Sequence, residues 1–135
     1  MKYISGIHAL NLPCGLLTCG DWHQFGLQWR RLTLLESEGS IFGDYGIEQG
    51  KSIPEHDGTY NVANHIRALL DLLQQEKYSV AQGMNKDFIC NEDYDAEIFS
   101  WVYKLSSTGY WDKIDRFMGR EYHSKWLDYK ESRLA

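Results

Sequence analysis

The stretch that decides the fold is residues 61–73, NVANHIRALLDLL, in which apolar residues recur at helical spacing. The apolar positions are Val62, Ile66, Leu69, Leu70 and Leu73. This spacing predicts a helix with one continuous buried face, and Thr59 or Asn61 precedes it as a candidate N-cap. Arg67 and Asp71 stand one helical turn apart within the stretch. They are predicted to form a surface ion pair of small energetic weight.

The chain that follows this helix keeps a helical pattern. A second helix is predicted from about residue 91 to Gly109, because acidic residues complement the start of a helix and glycine ends one. The last segment is expected to divide at Gly119 into a short helix and a final one. Residues 78–90 carry Gly83 between apolar pairs, and we interpret them as a loop with one short strand.

The chain that precedes the helix holds both prolines, most of the glycines and several short apolar runs. Strands are predicted at residues 3–10 and 25–30. For the second of these, a helix over residues 21–35 remains open as the alternative, because its aromatic residues also fit a helical period. Gly43 and Asp44 predict a tight turn between two short strands, or a loop packed on the sheet.

These patterns predict an α+β fold in a single domain, with a strand-rich and loop-rich N-terminal half and a helical C-terminal half. Residues 1–56 are expected to form the strands and loops, and residues 57–135 three to four helices. The length of 135 residues, with 43% hydrophobic and 24% charged residues, is typical of one globular domain. A chain of this length can build a core without disulfides or a structural metal.

The charge and cysteine counts restrict the class of protein. A formal net charge of -5 weighs against nucleic-acid binding, which needs a basic face. Three cysteines, an odd number, are typical of a reducing compartment. No apolar run approaches the roughly 18–20 residues that span a bilayer, and polar residues interrupt the N-terminal stretch that imitates an export signal. We therefore expect a cytoplasmic protein with no membrane contact.

Five side chains with metal-binding or acid–base chemistry lie within residues 8–23: His8, Cys14, Cys19, Asp21 and His23. Thiolate and imidazole groups are zinc ligands, so Cys14, Cys19 and His23 are the candidate metal ligands. A structural zinc site normally pairs two ligand clusters, and no second pair follows in the chain. The competing interpretation is that the two cysteines are small buried residues. We predict no cofactor, with zinc as the alternative.

An acid–base site is a separate hypothesis for the same region. Asp21 could orient the imidazole of His23 or His8 as a general base, and Asp44 or Glu48 could supply a second carboxylate. Loops in a glycine-rich setting often present catalytic groups. The alternative is ordinary turn chemistry, in which an aspartate after glycine bonds to the local backbone and a glutamate is only solvated.

Aromatic residues, at 14% of the chain, exceed what a core of this size needs. Tryptophan and tyrosine are enriched at interfaces, so Trp111, Trp126 and Tyr129 are candidate partner-binding residues. His65, beside the apolar stripe of the first helix, is a fourth candidate. The alternative is a helical core with basic residues at its rim, and for His65 a hydrogen-bonded position at the boundary of the core.

Four motifs carry a resemblance to known sequences: SGIHALN at residues 5–11, CGDWH at 19–23, FGDYGIE at 42–48 and NVANHIRALLD at 61–71. With these motifs the chain resembles a group of short uncharacterised bacterial proteins typical of mobile-element, toxin–antitoxin or phage-defence neighbourhoods. The resemblance assigns no catalytic residue, ligand or named fold. It implies a role that depends on a partner.

The function expected from the sequence is that of a small interaction protein, an antitoxin-like or defence-associated accessory subunit that binds and modulates a partner protein. Homo-oligomerisation is an open possibility, and nucleic acid is disfavoured as a partner. The alternative is a small toxin-like enzyme, a transferase or nuclease, with its site in the glycine-rich half. The chain carries no nucleophile elbow, P-loop, dinucleotide fingerprint or kinase signature.

Overall fold

The computed structural model describes residues 1–21 and 26–134. Its N-terminal half forms a four-stranded mixed sheet. The strands are β1 (Lys2–Ile4), β2 (Leu34–Glu36), β3 (Ile47–Lys51) and β4 (Tyr60–Ala63). They lie in the order β2-β1-β4-β3, in which β1 is parallel to β4 and the two outer pairs are antiparallel.

The C-terminal half is helical, which confirms the predicted α+β class. The α-helices are α1 (Gly6–Leu10), α2 (His65–Gln74), α3 (Tyr78–Ala81), α4 (Asp95–Tyr103), α5 (Trp111–Tyr122) and α6 (Ser124–Leu134). A π-helix spans Met84–Ile89, and 3-10 turns span Glu92–Tyr94 and Lys104–Ser107.

The central helix α2 begins later than its sequence period predicts. The N-cap is Asn64, and neither Thr59 nor Asn61 has that role. Val62 belongs instead to β4, where it is the parallel partner of Ile4. The spacing of Val62 fits the helical period of α2, but its pairing with β1 places it in a strand, so a long-range contact overrides the local pattern.

The predicted strand over residues 3–10 is wrong beyond Ile4. The chain turns at Ser5 into α1, which buries three successive residues, His8, Ala9 and Leu10. A strand exposes alternate residues, so this run of buried positions fits a helix. No strand forms in residues 26–30, the described part of the second predicted strand, and residues 22–25 lie outside the described residues.

Two further boundaries differ from the predictions. Residues 78–90 contain α3 and the π-helix in place of a loop with a strand. Helix α5 continues through Gly119 to Tyr122, and the break comes at His123, whose φ is 55°. The helix predicted from residue 91 is present as a 3-10 turn followed by α4, and a 3-10 turn extends it to Ser107.

The core is built around α2, which is buried on all sides and not on one face alone. Nine of its ten residues are buried, from His65 to Leu73. The helix packs against α1, α3 and α4 as well as against β4. The sequence of α2 is apolar along one face only. The helix can nevertheless be buried on all sides because its polar side chains form hydrogen bonds with other buried groups.

The pair Arg67 and Asp71 is the clearest case, and its predicted surface position is wrong. Arg67 is 0% exposed and Asp71 is 3% exposed, with Nε 3.0 Å from Oδ1. Arg67 also donates 2.7 Å bonds to the backbone oxygens of Gly43 and Tyr45. The hydroxyl of Tyr3 donates to Asp71 over 2.7 Å. The bonds from Arg67 hold the turns before β3 against α2, so this segment is a loop, as one of the two predictions has it, but these bonds attach it to the helix.

Among the helices of the described residues, none combines the length and the apolar composition needed to cross a membrane.

Candidate functional site

The candidate site lies where the segments that follow β1 and β4 meet. Because these strands are parallel, their carboxyl ends lie at the same edge of the sheet. The segment after β1 contains α1 and the loop of residues 12–20, and the segment after β4 is the start of α2. The topology thus brings Cys14 to a histidine that is far away in sequence.

The start of α2 is fixed by its cap. Asn64 is extended, and its Oδ1 accepts a 2.9 Å bond from the backbone N–H of Arg67. Its own N–H donates to the oxygen of Gly46 over 2.7 Å. Gly46 has a φ of +72°, and a methyl group there would lie 2.9 Å from Oδ1 of Asn64. The first residue of the helix, His65, therefore has a defined position.

The two ring nitrogens of His65 have different partners. Nε2 lies 2.7 Å from the backbone oxygen of Leu12, and Nδ1 lies 2.7 Å from the hydroxyl oxygen of Thr18. A carbonyl oxygen only accepts hydrogen bonds, so Nε2 carries a proton. In the neutral ring Nδ1 is then the basic nitrogen, and it faces the loop that carries Cys14.

Cys14 is half-buried beside this ring. Its Sγ lies 3.6 Å from the hydroxyl oxygen of Thr18 and interacts with both the side chain and the backbone N–H of His65. Burial raises the pKa of the thiol, but these hydrogen bonds outweigh burial and lower the pKa of Cys14 to about 7. A helix N-terminus and an adjacent imidazolium are among the surroundings that lower the pKa of a cysteine thiol.

His65 is perturbed in the complementary direction. It is 2% exposed, and burial by itself lowers its pKa. Contact with the thiol of Cys14, the bond to Leu12 and the negative charge of Glu48 outweigh burial, so the pKa of His65 is raised. The two shifts together favour the thiolate–imidazolium form of the pair.

Glu48, on β3, fixes the loop next to the thiol. Its Oε2 accepts a 2.6 Å bond from the backbone N–H of Gly15, and its Oε1 accepts one of 2.8 Å from Lys51. Burial raises the pKa of Glu48, but these bonds, first that from Lys51, lower it below the usual value. A methyl group at Gly15 would lie 2.8 Å from Oε2, so glycine permits the close approach.

Gly20 closes the loop over the other side of the ring. Its φ is +75°, and a methyl group there would lie 2.7 Å from Cε1 of His65 and 2.8 Å from the oxygen of Leu10. Its N–H donates to the oxygen of Phe88 over 2.8 Å. The imidazole is thus enclosed between the loop and α2, while the thiol stays partly accessible.

The acid–base residues predicted from sequence occupy several different environments. His8 is buried, its Nε2 lies 2.8 Å from the oxygen of Gln28, and its ring meets that of Trp29 edge to face. Asp21 accepts a 3.3 Å bond from Asn11. The predicted catalytic and metal-binding residue His23 lies outside the described residues. Glu48 joins the site at Cys14, and Asp44 is an exposed turn residue.

The cysteines predicted as zinc ligands also have different neighbours. Cys14 contacts His65, whereas Cys19 is exposed and contacts Cys90. Within residues 1–21 and 26–134, no three histidine, cysteine, aspartate or glutamate side chains are grouped so as to hold a metal ion.

The aromatic residues predicted to bind a partner form a cluster within the helical half. Trp126 is 1% exposed and stacks on Tyr129 at 5.9 Å between ring centres. Its Nε1 donates to Asp115 over 2.7 Å, and its ring meets that of Trp111 at 6.0 Å. Trp111 and Tyr129 are half-buried. The cluster packs α6 against α4 and α5.

The pairing of Cys14 with His65 was not anticipated from the sequence. Each residue was a candidate for a different role, as a metal ligand and as a partner-binding residue. The signal that indicates the pairing is Asn64, because an N-cap there places His65 at the first turn of a helix, where thiolates are stabilised.

No family model matches the chain, and no curated protein or solved structure matches it either.

Proposed function

We propose that the protein is a small cysteine-dependent enzyme in which Cys14 is the nucleophile and His65 its base. One observation carries the proposal: the hydroxyl oxygen of Thr18 lies 3.6 Å from the Sγ of Cys14 and 2.7 Å from Nδ1 of His65, and interactions with His65 lower the pKa of the thiol to about 7. A nucleophile within reach of a base that a third group orients is the usual arrangement for covalent catalysis. Here the third group is the backbone oxygen of Leu12.

The reaction class that suits this pair is acyl transfer. The thiolate of Cys14 attacks an acyl carbon, and the protonated Nδ1 of His65 supplies a proton to the departing group. The thioester then passes its acyl group to water or to a second acceptor, which His65 deprotonates. The hydroxyl of Thr18 lies between the two groups and can relay the proton. Within the toxin-like enzyme hypothesis, this chemistry supports a transferase.

Acylation by p-nitrophenyl acetate tests this proposal. The wild-type protein is expected to release one equivalent of nitrophenolate in a burst and to gain one acetyl group, which peptide mapping places on Cys14. Cys14→Ser should lose the burst, and Cys90→Ser is the matched control that should retain it. Acetylation of Cys19 or Cys90 in the wild type, with Cys14 unmodified, would contradict the proposal.

A second candidate function is that of an antitoxin-like or defence-associated accessory subunit that binds a partner protein, and one observation favours it. β2 is an edge strand, and among the described residues no strand pairs with its outer side. Leu34 on this strand is 51% exposed. An open edge with an exposed leucine can accept a strand from another chain.

Native mass spectrometry of the protein purified from its host under reducing conditions tests this second function. A complex with a second gene product is expected, and Leu34→Lys should abolish it because a charge at an edge strand opposes strand addition. Leu134→Lys, at an 83% exposed leucine in α6, is the matched control. A bare monomer, or a complex that survives Leu34→Lys, would contradict binding at β2. A homodimer would instead identify a second copy as the partner.

A further inference from the structure

The two cysteines outside the proposed active site lie side by side. The loop that carries Cys19 crosses the end of the π-helix, where Cys90 stands. The N–H of Gly20 donates to the oxygen of Phe88 over 2.8 Å, and the amide of Asn91 donates to the oxygen of Leu17 over 3.0 Å. These two bonds flank Cys19 on one segment and Cys90 on the other, and they hold the two segments of backbone next to each other at this point.

The thiol of Cys90 is directed by its local backbone. Cys90 ends the π-helix with a φ of 53°, and its Sγ donates to the oxygens of Lys86 and Asp87 over 2.9 and 3.3 Å. The thiol is also close enough to that of Cys19 for the two to interact. Burial, followed by this contact, raises the pKa of Cys90 to about 11. Cys90 is therefore a thiol at neutral pH.

Reagents can reach the pair from solvent. Both cysteines are exposed. A groove of about 510 Å³ borders Cys90 and is also lined by Asp21, Lys86 and Phe88. A volume of this size accommodates a small peptide such as glutathione.

We propose that Cys19 and Cys90 form a reversible disulfide that ties the loop of residues 12–20 to the π-helix. The oxidant is a low-molecular-weight disulfide. The thiolate of Cys19 attacks oxidised glutathione and releases one reduced glutathione. The thiol of Cys90 loses its proton to solvent and attacks the sulfur of Cys19, which releases the second. Two thiols are oxidised, and one glutathione disulfide is reduced to two thiols.

This site is separate from the proposed active site, so either proposal can fail without the other. The connection between them is mechanical, because the tied loop carries Thr18 and Cys14. Oxidation is expected to raise the melting temperature, because the cross-link joins residues that are far apart in the chain.

The test is oxidation of the purified full-length chain with oxidised glutathione, followed by intact mass measurement and non-reducing peptide mapping. The expected result is a loss of about 2 Da and a single linked peptide pair containing Cys19 and Cys90, both reversed by a reductant. Cys14→Ser is expected to form the same link. Cys90→Ser is expected to stop at a mixed disulfide of glutathione with Cys19.

Three outcomes would overturn the proposal. The first is a wild-type protein that accumulates the mixed disulfide at Cys19 with Cys90 still alkylatable. The second is a link that contains Cys14. The third is a protein in which Cys19 and Cys90 carry neither a link to each other nor a glutathione adduct. Circular dichroism of Cys90→Ser and Cys14→Ser, recorded before oxidation, checks that both variants are folded like the wild-type protein.

Discussion

At the scale of single residues, hydrogen bonds and close packing fix the orientation of the His65 ring. The bond from Nε2 to the oxygen of Leu12 fixes which nitrogen carries a proton, and the cap at Asn64 fixes where the ring enters the helix. Gly20 encloses the ring from the loop side. A ring held in this way keeps Nδ1 toward Thr18 and Cys14 in either protonation state.

Gly20→Ala tests this enclosure. The new methyl group would lie 2.7 Å from Cε1 of His65, so the ring or the loop must shift. Alkylation of Cys14 at pH 7 is expected to slow on the order of tenfold as the thiolate loses its imidazole partner. Rates measured with iodoacetamide and mass spectrometry check the prediction.

The control for Gly20→Ala is Gly58→Ala. Gly58 has a φ of +81°, close to the +75° of Gly20, but nothing lies within 4 Å of a methyl group built there. Both substitutions carry the backbone strain of alanine in the left-handed region, about 1 kcal/mol. Equal alkylation rates in the two variants would show that the contact with His65 is irrelevant to the thiol.

At the scale of elements, the sequence predicts what depends on local spacing and misses what depends on distant partners. The period of α2 is correctly predicted, but its burial on all sides is not, because the loop that covers Arg67 comes from residues 40–46. An arginine one turn from an aspartate normally indicates a solvated helix face. The spacing of apolar residues along the helix cannot predict the backbone oxygens of a distant loop that accept hydrogen bonds from the guanidinium.

The same reason explains what was missed at the site. The sequence makes Cys14 a candidate metal ligand and His65 a candidate partner-binding residue, but their contact follows from the parallel pairing of β1 with β4. Parallel pairing is a non-local property that alternation within a strand does not encode. Glu48 was found as a carboxylate in a glycine-rich segment, and its bond to Gly15 again depends on a contact between distant segments.

At the scale of the whole molecule, the strand-rich half supplies the nucleophile and the helical half supplies the base and its electrostatic environment. The loop of residues 12–20 lies between β3, which holds it through Glu48, and the end of the π-helix, where Phe88 bonds Gly20 and Asn91, just beyond the helix, bonds Leu17. The aromatic cluster of α4, α5 and α6 packs these three helices against one another. The central claim is that this arrangement makes Cys14 a thiolate near neutral pH.

The measurement that tests this claim most directly is the pH dependence of Cys14 alkylation. The protein used carries Cys19→Ser and Cys90→Ser, so the measured rate is that of Cys14. Because the pKa of Cys14 is lowered to about 7, the rate should rise as pH increases through about 7 and level off above it. Adding His65→Gln removes the imidazole, which is one of the groups that lower this pKa, and leaves burial and the backbone hydrogen bonds in place, so the midpoint should rise above 7.

At pH 7 the His65→Gln change should slow alkylation on the order of tenfold, with circular dichroism confirming that the variant is folded. A wild-type midpoint at the ordinary thiol value of about 8.5, or a midpoint near 7 that His65→Gln leaves unchanged, would contradict the account.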